Sequence, residues 1–266
     1  MPIVSTNIAF ILMGLRIILI MRDSFFLNSV QMEILRNLFW LLSPASHLIL
    51  WIFGWKPLTR KYIKAFKQHP KKVVIFPHTT YWDFPILAIY SLTIWSEYHD
   101  EGVHVVMKPQ LVNGPFGKFF RAFNCLAATP KHETGAGFVT KTTEKMAKLP
   151  RFTIFISPDG TTRRSEWKTG YFYLAKTLGC VIQVVGLDYH NHCPVIKPAV
   201  VPGDLEATQK ILKEQIATIP TLNPEQSVVP SPNVETSLYP KDHLHTTLPP
   251  LISIGIIIWN LLYLAF

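Results

Sequence analysis

Between Val73 and Ile216 short β-rich runs alternate with stretches of helical spacing, and this alternation restricts the fold more than any other feature of the chain. The β-rich runs are Val73 to Phe76, Val103 to Met107, Cys125 to Ala128, Phe152 to Ile156 and Val181 to Leu187. Helices are predicted over Phe84 to Trp95, Pro115 to Phe123, Gly137 to Lys148, Gly170 to Leu178 and Leu205 to Ile216. Strands that alternate with helices point to a parallel sheet, because a parallel neighbour has to be reached by a crossover and a helix is the usual one. The expected fold class is α/β, a mainly parallel sheet flanked by helices. In such sheets ligands gather at the carboxyl ends of the strands.

The two ends of the chain read differently. At 266 residues there is enough chain for one full core with appendages, and 48% hydrophobic against 16% charged residues points to contact with a membrane. Ile8 to Ile20 is apolar but carries Arg16, has no Lys or Arg ahead of it and no Ala-x-Ala site, so it does not read as a signal peptide. Leu38 to Trp55 has no formal charge; as one helix it would just reach across a bilayer core of roughly 30 Å. Its Pro44, Trp40, Trp51 and Trp55 fit an interfacial or bent element equally well. Leu251 to Phe266 is almost wholly apolar and reads as a candidate tail anchor. It follows a stretch, Ile219 to Pro250, with prolines at 220, 224, 230, 232, 240, 249 and 250 that oppose packed structure. The expected organisation is therefore N-terminal apolar membrane-associating helices over 1–56, an α/β domain over 57–218, a Pro-rich linker over 219–250 and an apolar tail over 251–266.

Charge narrows the partners. Lys and Arg outnumber Asp and Glu by 26 to 17, a net +9, which suits anionic lipid headgroups or phosphorylated substrates. Lys56, Arg60, Lys61, Lys64, Lys67, Lys71 and Lys72 follow an apolar run, as on the cytoplasmic face of a membrane protein, and no long basic stripe argues for nucleic acid. Cys125, Cys180 and Cys193 are an odd, scattered set without a disulfide framework, which implies a reducing compartment.

Two motifs carry chemistry. His78-Thr79-Thr80-Tyr81-Trp82-Asp83 directly follows the first strand. On one straight helix His78 and Asp83 would lie about 140° apart, so they can meet only if the histidine sits on a loop beside the first turn of the next helix. The carboxylate would then accept from one ring nitrogen and leave the other free to take a proton. The plain alternative is a capping box between Thr80 and Asp83, which Pro85 disfavours. The second motif, Ser157-Pro158-Asp159-Gly160-Thr161 with Arg163, Arg164 and Lys168, is a turn after the fourth strand with cations crowded beside a helix start, a pattern that suits an anion. A solvated basic loop is its plain alternative. His190, His192 and Cys193 lie in one loop with no distant partner pair, a poor metal pattern, and no serine or cysteine stands in a nucleophile setting.

Taken in order, these motifs resemble the glycerolipid acyltransferase family typified by 1-acyl-sn-glycerol-3-phosphate acyltransferases, with its His-x4-Asp motif and its Pro-Glu-Gly-Thr-Arg type motif. The resemblance runs from about Lys72 to Asp204 and includes Lys108-Pro109-Gln110-Leu111 with Arg121 as a second block and Val181 to Tyr189 as a fourth. Trp167 to Ala175 resembles a bacterial-type subgroup. Departures are Pro77 before the histidine in place of Asn, Asp159 for Glu, Thr162 at the usual Arg position, and Ala128-Thr129-Pro130 where an Arg is common, with Lys131 the nearest cation.

The resemblance implies an O-acyltransferase that moves a fatty acyl chain from acyl-CoA or acyl carrier protein to a lysophospholipid or glycerol-phosphate hydroxyl, lysophosphatidic acid to phosphatidic acid first among them. His78 and Asp83 would be catalytic, with Lys108, Arg121, Asp159, Gly160, Thr161, Arg163 and Arg164 binding substrate. No cofactor is expected beyond the thioester co-substrate, and no metal. Partners would be the lysophospholipid acceptor, the acyl thioester donor and the lipid bilayer, with the catalytic domain on the cytoplasmic side. Two competing classes are a membrane-attached lipid-binding protein of the same fold without turnover, and a lipid hydrolase using the same histidine.

Overall fold

A computed structural model describes residues 43–80, 82–93, 102–114, 117–122, 124–128, 136–160, 166–229 and 232. In chain order its elements are α1 (Ser43–Ile52), α2 (Arg60–Lys67), β1 (Lys71–Ile75), α3 (Asp83–Thr93), β2 (Val103–Met107), α4 (Pro109–Asn113), α5 (Gly117–Ala122), β3 (Cys125–Ala127), α6 (Ala136–Ala147), β4 (Phe152–Ile156), α7 (Gly170–Thr177), β5 (Val181–Asp188), β6 (Cys193–Ile196) and α8 (Leu205–Ala217). A 3₁₀ turn, Pro224–Gln226, follows.

The strands form one sheet in the order β3-β2-β4-β1-β5-β6. β1, β2, β3, β4 and β5 run parallel, and β6 is antiparallel to β5. β1 lies between β4 and β5 and is covered on both faces, which is why Val73, Val74 and Ile75 are all apolar and fully buried. Where the chain is half-covered, helical spacing does the sorting. Thr208, Leu212 and Ile216 of α8 recur every four residues and share its buried face. Asp204 starts that helix by accepting from the backbone N–H groups of Glu206 and Ala207 at 2.9 and 3.1 Å.

β6 starts at Cys193, which the sequence places in a loop with His190 and His192, and its origin is local. The carboxylate of Asp188 accepts from the backbone N–H groups of His190 and Asn191 at 2.9 and 2.8 Å, and His192 takes φ 50, so the chain reverses within four residues. Cys193 then pairs with Asp188, and His192 stacks its ring on Trp55 with centroids 5.4 Å apart.

The ends differ from expectation where they are described. The apolar run Leu38 to Trp55 does not continue as one helix: α1 stops at Ile52, Gly54 takes φ +71, and Trp55 turns into the core. Ten residues of helix reach about 15 Å, half of a bilayer core. Among the described residues no helix is long and apolar enough to cross a membrane. Leu50 and Trp55 pack with Trp82, Ile86, Tyr90, Leu187, Tyr189 and Leu222, so this part of the N-terminal region shares a core with the α/β domain. The opposite side of α1 is apolar and exposed: Leu48, Ile49, Trp51 (75%) and Ile52 (63%). Residues 219–229, expected to open a linker, are packed instead, with Ile219, Thr221, Leu222, Asn223, Ser227 and Val229 buried. A Cβ at Gly186 would come within 2.8 Å of Ile219 Cδ1, so a larger residue there would require the Ile219 side chain to shift. Ile8 to Ile20 and the tail from Leu251 lie outside the described residues.

Lys72 leaves the basic surface cluster to which its neighbours belong. It is buried in β1, where its Nζ donates to the carbonyls of Phe66 and His69 at 2.5 and 3.2 Å, just past the end of α2, and lies 4.0 Å from the centre of the Phe66 ring. A lysine there ties α2 to the central strand by serving carbonyls the helix leaves unpaired. Lys72→Met keeps the stem and removes the donor. The expected loss is about 1 to 3 kcal/mol, read as a lower urea midpoint at unchanged slope.

Candidate active site

The parallel register places the two motifs side by side. Ile75 of β1 pairs with Ile156 of β4, and His78 and Asp159 each lie three residues beyond that pair, at the carboxyl edge of neighbouring strands. His78 is on the loop between β1 and α3, as the geometry of its spacing from Asp83 requires. Asp83 opens α3.

The Asp83 carboxylate organises this loop. Its Oδ2 accepts from the backbone N–H groups of Thr79 and Thr80 at 2.9 and 3.1 Å and lies 3.3 Å from Nδ1 of His78. Its Oδ1 accepts from the Tyr189 hydroxyl at 2.8 Å. Thr80 Oγ1 in turn accepts from the backbone N–H of Trp82. The capping and the histidine-orienting readings of Thr80 and Asp83 therefore coexist: the carboxylate reaches back to the helix-start amide and to the imidazole at once. The His78 side chain is 21% exposed and that of Asp83 5%, a ring open to a substrate backed by a buried acid. With Nδ1 bound to the acid, Nε2 is the nitrogen left for proton transfer.

Pro77, where the family has a polar residue, is buried, and its Cγ lies 3.6 Å from where a Cβ at Gly186 would be. The loop is held instead by the Asp83 contacts and by Asn223, whose Nδ2 donates to the Thr79 carbonyl at 3.1 Å.

Asp159 sits in a four-residue turn closed by Gly160 N–H to the Ser157 carbonyl at 3.2 Å, with Pro158 second and Gly160 at φ +64. The acid is buried, and burial lifts its pKa to about 6 from 3.8, against the opposing pull of the nearby His78 charge and of donors from the Trp167 indole and the His78 backbone. Asp159 and His78 thus stand together. The amide of Gly160 is committed to the turn. The space a side chain would fill at Gly160 is approached by Lys168, with Nζ 3.4 Å from an ideal Cβ position there.

The remaining predicted site residues divide. Lys108 is exposed at the carboxyl end of β2, ahead of α4. Arg121 directs its guanidinium to the Val112 carbonyl at 2.5 Å and so braces α4 against α5. Thr161, Arg163 and Arg164 lie outside the described residues. Three residues that sequence reasoning did not assign to the site are joined to it, Trp167 at Asp159, Tyr189 at Asp83 and Asn223 at Thr79, while Lys168, expected in the anion motif, stands at Gly160. Trp167, Lys168 and Tyr189 fall within motif blocks, which was a usable signal. Asn223 lies in a proline-rich stretch with none.

Residues 59–188 match the family model described as Acyltransferase. Over that stretch, which contains both motifs, the chain is similar to acyltransferases, and acyl transfer is the activity such a domain supports. No curated protein and no solved structure matches the chain.

Asp159 yields a prediction with a definite sign. Its folded-state pKa is raised, so the folded protein keeps this proton up to about pH 6, whereas the unfolded chain releases it near 3.8. The stability it confers is full below the lower value and is lost as pH rises through the upper one. Asp159→Asn cannot ionise and keeps acceptor oxygen for Trp167 and His78. It should leave stability at about pH 3.5 unchanged and raise it at about pH 8 by about 1 to 3 kcal/mol in urea unfolding. Equal effects at the two pH values would refute the burial account.

Proposed function

We propose that the protein transfers a fatty acyl chain from acyl-CoA or acyl carrier protein to the hydroxyl of a lysophospholipid, with lysophosphatidic acid as the favoured acceptor and phosphatidic acid as the product. The observation that carries this reading is the His78 imidazole held by a buried, hydrogen-bonded Asp83 at the sheet's carboxyl edge, within the stretch matched to the family.

His78 Nε2 takes the proton of the acceptor hydroxyl as its oxygen attacks the thioester carbonyl. Asp83 keeps the proton on Nδ1 and stabilises the imidazolium that forms. As the tetrahedral intermediate collapses, the carbon–sulfur bond breaks and the imidazolium returns the proton to the leaving thiolate. No acyl-enzyme forms. Asp159, ionised above about pH 6, adds a second negative charge beside the imidazolium. Lys168, with Lys108, Arg163 and Arg164, supplies cations for the acceptor phosphate.

The exposed apolar side of α1 suits a bilayer interface, and Phe84, adjacent to Asp83 in sequence, is a further exposed apolar residue. Lys56, Arg60, Lys61 and Lys64 are exposed in the next segment and would meet anionic headgroups from the cytoplasmic side.

The test of the reaction is an acceptor screen with labelled acyl-CoA on wild type and His78→Ala. Wild type should acylate lysophosphatidic acid, and the variant should lose about 10² to 10⁴ of the rate while remaining folded. Fatty acid release without acceptor would identify a hydrolase, and acceptor binding without turnover a lipid-binding protein. For the bilayer, Trp51→Ser with Ile52→Ser should weaken partitioning onto anionic vesicles about tenfold to a hundredfold and spare turnover of a soluble short-chain acceptor. Unchanged partitioning would remove α1 from the membrane contact.

A further inference from the structure

We infer that Tyr189 is a positioning residue for the His78–Asp83 pair, fixing the carboxylate by one oxygen so that the other faces the imidazole. The inference rests on the acyl-transfer reading only for its kinetic arm.

A carboxylate turns about its Cβ–Cγ bond in a broad, two-fold torsion, so donors on one oxygen alone leave it room to swing. The Thr79 and Thr80 N–H groups and His78 Nδ1 all meet Oδ2. A turn about Cβ–Cγ moves both oxygens at once, and these three partners resist it from the Oδ2 side only. The Tyr189 hydroxyl takes Oδ1 from the far side of the sequence, 106 residues later, at 2.8 Å. With both oxygens held, the plane is set and Oδ2 points at Nδ1.

Tyr189 can do this because it cannot move. It is 1% exposed, and its ring meets the Trp55 ring edge-on at 5.4 Å. Its backbone N–H donates to the Pro220 carbonyl at 3.0 Å. Three residues beyond Pro220, Asn223 donates to the Thr79 carbonyl. One short segment after α8 therefore clamps the residue that holds Oδ1 and the loop that feeds Oδ2. A purely space-filling tyrosine would use Asp83 only to satisfy its own hydroxyl.

The two roles separate in Tyr189→Phe, compared with Tyr171→Phe, an equally buried tyrosine packed in the main core with Trp167 edge-on to its ring. Positioning predicts that Tyr189→Phe lowers kcat about tenfold with KM unchanged, and that in an Asp83→Asn background the same substitution has no further effect. It also predicts that the ¹⁵N resonances of the His78 ring move toward each other, because a loosened acid no longer selects one tautomer, while Tyr171→Phe leaves them in place. Should Tyr189→Phe not fold, 3-fluorotyrosine at position 189 preserves the shape and strengthens the donor. The His78 resonances must then change, and the same label at 171 must not alter them. Equal kcat losses with Asp83 and Asn at 83, or His78 resonances unmoved by either change at 189, overturn the inference. The ring resonances are read without substrate, so a wild type that acylates no acceptor but shows the shift would refute the reaction and keep the positioning.

Discussion

A buried carboxylate has to be matched by donors, because an anion removed from water costs several kcal/mol when left unpaired. Asp83 is such a group, and the carboxyl edge of the sheet is arranged around satisfying it. Its donors come from the loop after β1, from the ring of His78 and from the end of β5, while the helix it opens runs back into the core through Ile86 and Tyr90. Each of these contacts constrains a different part of the chain. Together they hold the acid against the imidazole, an arrangement of the kind a general base uses. The capping bonds that satisfy Asp83 are the same bonds that turn it toward the ring.

Asp159 sets a different balance. It is buried beside the same histidine, and burial raises its pKa despite the favourable charge of His78 and the donors around it. At neutral pH the folded state therefore carries an ionised acid in a place that disfavours it. Costs of this kind gather at functional sites, and the general-base role proposed for His78 would give the second anion a use. The Trp167 indole, half-buried and shared between Asp159 and the Tyr171 ring, connects this acid to the main core.

The apolar residues of α1 serve two purposes according to the side they occupy. Leu50 enters the cluster that contains Tyr189, whereas Trp51 and Ile52 face outward. Composition alone treats all of them as one hydrophobic run. The inward residues help fix the wall that holds the acid, and the outward ones are the apolar surface on which the proposed bilayer contact rests.

Short apolar, β-branched runs between helical stretches determined the five parallel strands almost to their ends, most directly Val73 to Ile75 of β1, which is buried on both faces, and they placed His78 and Asp159 at strand ends. The spacing of His78 and Asp83 determined that the histidine is on a loop, because a helix would carry the two apart. Lys72, Tyr189 and Asn223 were decided only by the tertiary structure. Lys72 looks like one more surface lysine until the carbonyls of Phe66 and His69 surround it. Tyr189 ends a motif block without any sign of its partner, and Asn223 is unremarkable in a linear reading. Their partners, Asp83 and Thr79, are 106 and 144 residues away, and in the proline-rich segment that carries Asn223 Ile219 lies close against Gly186 of β5. Local pattern reports which face of an element is apolar. Which distant donor meets a buried oxygen depends on how the elements close over one another, and that is written in no local window of the chain.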